Sequence, residues 1–174
     1  MGTIRKGYPV KMFCGVIYSR EDVFSVVKEI LVARFGETDI EAGPFAFDFT
    51  DYYREEMGDN LLRRFLSFKM LVQPDQCHEW KYFTNQVEEK YFVPSTCRRR
   101  VNIDPGYMNL SRVILLSTKD YFHRIYLQSG IFAESTLYYR NDDYSFFPWT
   151  YPDYQSQEYL DFFRSMRVVY KKQE

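Results

Sequence analysis

The sequence of 174 residues lacks the features that mark several large classes of protein. No apolar run approaches the ~20 residues that span a bilayer, and the start, MGTIRKGYPVKMF, has no apolar h-region of a secretory signal. These absences predict a cytoplasmic protein that is not a membrane protein. The three cysteines, Cys14, Cys77 and Cys97, are far apart and show no CxxC spacing, so neither a disulfide framework nor a zinc site is indicated.

Histidine and phosphate-binding motifs are also scarce. With only His78 and His123, a multi-histidine metal centre would be hard to build. The chain contains no GxxxxGK[ST] segment, so it has no P-loop for GTP, and no GxSxG nucleophile elbow. The 23 Lys and Arg residues nearly balance the 24 Asp and Glu residues, so a polyanion would have to bind a local basic patch rather than a general positive field.

Aromatic residues, by contrast, are abundant. They make up 20% of the chain within a hydrophobic total of 45%, a composition that a disordered chain could not carry without collapse. The length suits one domain, and there is no repeat, linker or low-complexity tract. We therefore expect one globular domain over residues 1–174.

Hydrophobic periodicity predicts the order strand, helix, strand, strand, helix, strand for the first hundred residues. The predicted elements are a strand at Val10–Tyr18, a helix at Arg20–Phe35 capped by Ser19, an extended segment through Phe45, Phe47 and Phe49, a strand at Leu61–Val72, a helix from Pro74 to about Phe92, and a strand at Arg100–Asp104. This is the order of a ferredoxin-like split β-α-β unit.

The rest of the chain predicts more strands and a last helix. Pro105-Gly106 is typical of a turn, and Arg112–Thr118 reads as a strand. A hairpin with the three-residue loop Gln128–Gly130 would set Leu127 opposite Ile131, Ile125 opposite Ala133 and Arg124 opposite Glu134, and an amphipathic helix follows Ser156. The fold class expected is α+β, an antiparallel or mixed sheet with two helices on one face and a C-terminal helix closing the fold.

The stretch from Arg98 to Arg140 carries the most promising polar residues. Four of them could be catalytic: the acids could bind Mg²⁺ or Mn²⁺ and the histidine could act as a general base, and this set is Asp104, Asp120, His123 and Glu134. Five others could hold a phosphate or carboxylate, namely Arg100, Asn102, Lys119, Arg124 and Arg140. The hypothesis is an enzyme or binding protein for a small anionic ligand; the alternative is a solvated sheet face with cross-strand ion pairs.

Three other patterns leave further functions open. Asp48 and Asp51 could act as paired carboxylates or metal ligands, or Thr50 or Asp51 could cap a helical turn. Arg63, Arg64 and Arg98–Arg100, with aromatic neighbours, could form an RNA-binding module, for which one continuous basic stripe would be required. A non-enzymatic protein-interaction domain would instead show a flat apolar patch. The aromatic loop Phe146–Tyr154 could close over a ligand or pack on the core.

Long phrases of the sequence are also similar to a known family. In chain order they are PFAFDFTDYYREEMG, LLRRFLSF, RRRVNIDPGY, STKDYFHRIYL, GIFAESTLYYR and PWTYPDY. They resemble the bacterial and archaeal family DUF4416, a domain of unknown function, over roughly Pro9 to Arg167. The resemblance implies a single cytoplasmic prokaryotic domain with its core at about residues 9–167. It implies no reaction, although some members of the family are labelled GTP-binding proteins.

Overall fold

The computed structural model describes residues 2–3, 7–50, 53–91 and 99–174. Asp51, Cys97 and Arg98, which appear in the hypotheses above, lie outside these residues. The structure is built on one sheet of eight strands, and every pair of neighbouring strands is antiparallel. The strands are β1 (Val10–Tyr18), β2 (Thr38–Ala46), β3 (Leu62–Val72), β4 (Val101–Met108), β5 (Arg112–Ser117), β6 (Ile125–Gln128), β7 (Ile131–Arg140) and β8 (Asp143–Phe146).

The first four strands lie in the order β2-β3-β1-β4, so the two halves of the split β-α-β unit interleave as predicted. The sheet then continues through β5 and β7. At the far edge β7 pairs with β6 through Ile131–Ala133 and with β8 through Leu137–Arg140. The α+β class and the single antiparallel sheet are confirmed.

Helices cover both faces of the sheet. The helices are α1 (Glu21–Phe35), the short α2 (Arg54–Met57), α3 (Cys77–Lys90) and α4 (Gln157–Gln173), with 3-10 turns at Pro74–Gln76 and Pro152–Gln155. Apolar side chains of α1 and α3 pack with one face of β1, and those of α4 pack with the other. The prediction of two helices on one face and a C-terminal helix is confirmed. No helix among the described residues is long and apolar enough to cross a membrane.

Three local predictions were wrong. Strand β4 continues through Pro105-Gly106, and the turn comes later, where Asn109 Oδ1 accepts hydrogen bonds from the N–H groups of Ser111 and Arg112. Gly106 is needed inside the strand because a Cβ there would overlap the carbonyl oxygen of Ile114 and the ring of Phe13.

The other two errors concern the hairpin and a cap. The hairpin loop has two residues, Ser129 and Gly130, both with positive φ, so Gln128 rather than Leu127 lies opposite Ile131. An irregularity between Tyr126 and Gln128 then shifts the register by one residue, so Ile125 lies opposite Ala133 as predicted. The N-cap position of α1 is Arg20 rather than Ser19.

One irregularity of the sheet creates space for a site. Strand β4 pairs with β5 only where Gly106–Met108 meets Val113–Leu115. Before that point β4 and β5 diverge, and among the described residues no strand adjoins Val101–Asp104 on the β5 side. The sheet is therefore open between the start of β4 and the end of β5.

Candidate functional site

A cavity of about 520 Å³ lies at this opening. Its walls come from β3, α3, β4, the end of β5 with the loop after it, and the loop before α4. Ten of the lining side chains are ionisable acids or bases: Glu56, Arg63, Lys81, Glu88, Arg99, Asp104, Lys119, Arg124, Glu134 and Asp153. A cavity of this size is in the range of small-molecule sites, which are usually more apolar.

The first polar group, here called the Asp104 cluster, consists of Asp104, Arg63, Lys81 and Asn102. Arg63 Nη1 donates to Asp104 Oδ2 at 3.1 Å and Asn102 Nδ2 donates to the same oxygen at 2.9 Å. Lys81 Nζ lies 3.9 Å from Asp104 Oδ1. Arg63 is 2% exposed, and its Nη2 donates to the hydroxyl of Tyr154 at 2.9 Å. Asp104 is thus surrounded by donors from three different elements.

Gly15 explains how Arg63 reaches Asp104 across the central strand. On β1, Gly15 lies opposite Phe65 of β3 on one side and opposite Asp104 of β4 on the other. An added Cβ at Gly15 would lie 2.9 Å from Arg63 Nη2, so the guanidinium passes over the glycine. The bare backbone of β1 at this point leaves room for the ion pair.

Helix α3 replaces the missing strand neighbour at the opening. Glu88 Oε1 accepts the N–H of Ile103 at 2.8 Å, and Lys81 Nζ donates to the carbonyl of Ile103 at 2.7 Å. Arg99 then joins Glu88 at 3.0 Å and Glu56 at 2.6 Å. Buried main-chain groups need partners, so these side chains stabilise the divergence of β4 from β5.

Burial and charge act in opposite directions on the acids of the cavity. Burial alone would raise the pKa of Asp104, but Arg63, Lys81 and the amide of Asn102 hold that pKa below its ordinary value. Burial raises the pKa of Glu88, and Lys81 offsets this only in part. Burial also raises the pKa of Asp153, against the attraction of Arg63. Asp104 is therefore held ionised, whereas Asp153 is shifted toward its neutral form.

The second polar group, the Glu134 cluster, consists of Glu134, Arg124, His123 and Thr136. Glu134 Oε2 accepts from Arg124 Nε at 2.6 Å and lies 3.2 Å from His123 Nε2, while Oε1 accepts from Thr136 Oγ1 at 3.1 Å. Arg124 also donates to Ser117 Oγ, the carbonyl of Lys119 and the Tyr151 hydroxyl at 2.8, 3.0 and 3.2 Å. Every partner comes from residues 117–151.

Aromatic rings pack against His123 of the Glu134 cluster. The His123 ring stacks on the Trp149 ring with centroids 5.1 Å apart. The Phe147 ring also stacks on Trp149, with centroids 4.8 Å apart. Trp149 Nε1 donates to the carbonyl of Ser135 at 2.9 Å. The aromatic loop before α4 thus packs beside β7 between β6 and β8.

The structure brings together five of the nine predicted site residues at the cavity wall. They are Asn102, Asp104, Lys119, Arg124 and Glu134. His123 lies behind them in contact with Glu134. The side chains of Arg100, Asp120 and Arg140 are exposed and do not line the cavity; Arg140 follows Glu134 by six residues on β7, about 20 Å along the strand.

Several important residues of the wall were missed by the prediction of a site within Arg98 to Arg140. They are Arg63, Lys81, Glu88, Arg99 and Asp153. Arg63 had a detectable signal, because it shares a strand face with the buried Phe65 and an arginine there needs a partner. Lys81 and Glu88 had a weaker sequence signal, because they are opposite charges placed two turns apart on an apolar helix face.

The acids do not form a metal site. Among residues 2–3, 7–50, 53–91 and 99–174, no group of three or more His, Cys, Asp and Glu side chains is placed to hold a metal ion. Asp104 and Glu134 each accept from an arginine, and Asp120 is exposed elsewhere. The donor set therefore does not fit the Mg²⁺ or Mn²⁺ hypothesis.

The other candidate patterns separate in space. Asp48 is exposed, and its predicted partner Asp51 lies outside the described residues. Arg63 and Arg64 are adjacent in β3 and so lie on opposite faces; Arg64 joins Glu41 at 2.8 Å and the Tyr18 hydroxyl at 2.7 Å. A single basic stripe for RNA could not include both arginines.

Comparison with known proteins identifies a family but no characterised relative. A family model, described as a domain of unknown function (DUF4416), matches residues 8–170. No curated protein and no solved structure gives a significant match. Because the family model covers nearly the whole chain of 174 residues, the chain belongs to the DUF4416 family.

Proposed function

We propose that the cavity binds a small organic anion that carries a phosphate or carboxylate group. The observation that supports this most is the presence of five basic side chains on the wall of one cavity of about 520 Å³. They are Arg63, Lys81, Arg99, Lys119 and Arg124. A cavity that gathers so many cations at the opening of a sheet is best suited to a ligand of negative charge.

The five acids on the same wall do not cancel this preference. Asp104, Glu88 and Glu134 each accept hydrogen bonds from a cation of the wall, so they position the cations. Asp153 is shifted toward its neutral form by burial, which raises its pKa. Glu56 likewise pairs with Arg99 at 2.6 Å, so the acids mainly fix the positions of the cations.

Arg124 keeps donor capacity after its internal hydrogen bonds are counted. A guanidinium has five N–H donors. Among the described residues, Arg124 has four acceptors: Glu134, Ser117, the Lys119 carbonyl and Tyr151. Arg124 therefore retains one N–H for a ligand while its side chain is held rigidly by the other four bonds, and such preorganisation lowers the entropic cost of binding.

Aromatic rings on the wall favour an organic anion over an inorganic one. Phe47, Phe49, Tyr53, Tyr121 and Tyr151 line the same cavity as the cations. A ring or apolar part of the ligand could contact these side chains while its anionic group meets the arginines.

The proposal concerns binding of the ligand and does not require a reaction. If the protein also turns over its ligand, Asp153 is a candidate for the general acid, because burial raises its pKa and so favours a bound proton.

A charge introduced at Thr118 tests the proposal. Thr118 lines the cavity with an exposed side chain, so a substitution there breaks none of the ion pairs described above. Full-length protein would be titrated calorimetrically with inorganic phosphate, glycerol phosphate, succinate and a nucleoside monophosphate, after a thermal-shift screen for the best probe. We expect Thr118→Glu to weaken binding of that probe about tenfold by like-charge repulsion.

Thr118→Gln is the matched control, since it has nearly the size of the glutamate variant without its charge. It should change affinity no more than about twofold. If none of the anions binds, or if Thr118→Glu binds its best anion as tightly as Thr118→Gln does, the proposal is wrong.

A further inference from the structure

Two of the outer strands of the sheet, β2 and β6, differ in how they are protected from pairing with another strand. An edge strand offers a row of free N–H and C=O groups, and natural proteins usually block it with charges, proline or a bulge. Strand β2 has all three kinds of protection: Asp39 and Glu41, Pro44, and irregular pairing with β3. Its charges are engaged in ion pairs with Lys11, Lys28 and Arg64.

Strand β6 has only two modest protections, its shortness and an irregularity in its pairing with β7 between Tyr126 and Gln128. Its residues, Ile125, Tyr126, Leu127 and Gln128, include no charge and no proline. All four are exposed, and β6 pairs only with β7 among the described strands. Isoleucine and tyrosine favour extended structure, so β6 is an open edge with a strong tendency to add a strand.

Apolar side chains surround this edge. Phe122 is 93% exposed, Ile125 71%, Tyr126 59% and Tyr121 46%. With Leu127 they present on the order of 600 Å² of exposed side chain, given the size of such residues. If both copies covered this whole surface, roughly 1,200 Å² in total would be buried, which is an upper bound and lies near the lower limit for a specific protein interface.

We propose that β6 is a dimerisation edge, at which two copies of this chain pair their β6 strands antiparallel across a twofold axis. A second copy fits the edge because an uncharged strand meets no like charge when it pairs with itself, whereas it offers nothing to attract a charged partner. The pairing would join two eight-stranded sheets into one. Because the area is modest, we expect a weak dimer that dissociates on the order of micromolar concentrations.

The test is the oligomeric state of the full chain by sedimentation velocity over a dilution series. One chain has a mass of 21.1 kDa, and the wild type is expected to approach twice that mass at the higher concentrations. Ile125→Lys places a charge on the edge at a side chain that is already exposed, and should raise the dissociation constant on the order of 100-fold. Phe122→Ser should weaken the dimer without altering β6 itself.

Met70→Lys is the matched control, because Met70 is an apolar strand residue that is 65% exposed on β3. It should dimerise as the wild type does. Hydrogen exchange on the wild type provides a second measurement, in which the amides of Ile125–Gln128 should exchange more slowly as the concentration rises.

The proposal is wrong if the wild type remains at 21.1 kDa throughout the series, which would leave the edge to an extended segment of another protein. It is also wrong if Ile125→Lys, shown to be folded by circular dichroism, dimerises as well as Met70→Lys. Neither result would alter the expectation for anion binding at the cavity.

Discussion

The Asp104 cluster and the Glu134 cluster have the same chemical core and very different places in the chain. In each cluster, a carboxylate on a strand accepts a hydrogen bond from a buried arginine and has at least one further polar partner. Arg63 and Asp104 are 41 residues apart in sequence, whereas Arg124 and Glu134 are 10 apart. The first cluster joins β3, α3 and β4 across the centre of the sheet; the second joins one loop to the hairpin that follows it.

This difference predicts different roles in stability. Removing a charge from the Asp104 cluster should weaken the packing of elements that are distant in sequence, and so the whole fold. Removing one from the Glu134 cluster should loosen a local segment first. Three substitutions, taken in order of expected effect, test whether the two clusters differ in this way.

The largest effect is expected for Asp104→Asn. It leaves the buried charge of Arg63 without its carboxylate and removes an acceptor close to Lys81. Loss of one partner from a buried pair costs about 3 to 5 kcal/mol in free energy of unfolding. Urea denaturation at neutral pH would measure this loss of stability. The control is Asp22→Asn, which removes a charge from an exposed pair with Arg20 and should not change stability.

The pH dependence of that loss follows from the direction of the pKa shift. The pKa of Asp104 is below its ordinary value in the folded protein, so its contribution is present above the unfolded pKa and disappears as pH falls through the folded pKa. Wild type and Asp104→Asn should therefore begin to converge in stability only as the pH falls below about 4, and should become equal once it has fallen through the folded pKa. A difference that persists unchanged at low pH would show that the loss comes from packing rather than from charge.

A smaller effect is expected for Glu134→Gln. Arg124 keeps Ser117, the Lys119 carbonyl and Tyr151 as acceptors, so the cost should be about 2 kcal/mol. Hydrogen exchange should accelerate mainly within residues 117–136. Glu37→Gln, in an exposed pair with Lys69, is the control. Acceleration spread evenly over β1, β3 and β4 would remove the distinction between a local and a long-range cluster.

The smallest effect, of opposite sign, is expected for Asp153→Asn. Because burial raises the pKa of Asp153 in the folded protein, ionisation opposes folding above the unfolded pKa, and the amide avoids that cost. The variant should be more stable than the wild type by about 1 kcal/mol at neutral pH and equal to it below about pH 4. Melting curves at both pH values measure this, and a loss of stability at neutral pH would mean that Arg63 depends on the charge of Asp153.

The same contrast explains what could be predicted from the sequence. The pair of Arg124 and Glu134 follows from a hairpin whose turn is visible as Ser129-Gly130, although the loop has one residue fewer than predicted. Local geometry sufficed there, because residues near in sequence have few ways to meet. The strands β1, β3 and β5 were predictable for a similar reason, since each is an apolar run of strand length or is rich in residues that favour strands. The helices α1, α3 and α4 were predictable because each carries an apolar stripe at helical spacing.

The Asp104 cluster depends on information that no local pattern contains. Arg63 meets Asp104 only because β3 and β4 flank β1 and because Gly15 leaves the space between them open. Strand order and register decide such a meeting, and no local pattern of the sequence fixes either of them. Lys81 and Glu88 were missed because their acceptor and donor are main-chain groups of Ile103, which have no sequence signal.

The support that α3 gives to Ile103 also has a consequence for motion. Elsewhere in the middle of the sheet a main-chain N–H is held by the neighbouring strand, and it is released only when strands separate. The N–H of Ile103 is held by one carboxylate at the end of the rotatable side chain of Glu88. If Glu88 left its ion pairs with Lys81 and Arg99, a change of its rotamer would free this N–H while the rest of β4 stays paired with β1. At this position a main-chain group of the sheet can therefore be released by the movement of a side chain, without the separation of two strands.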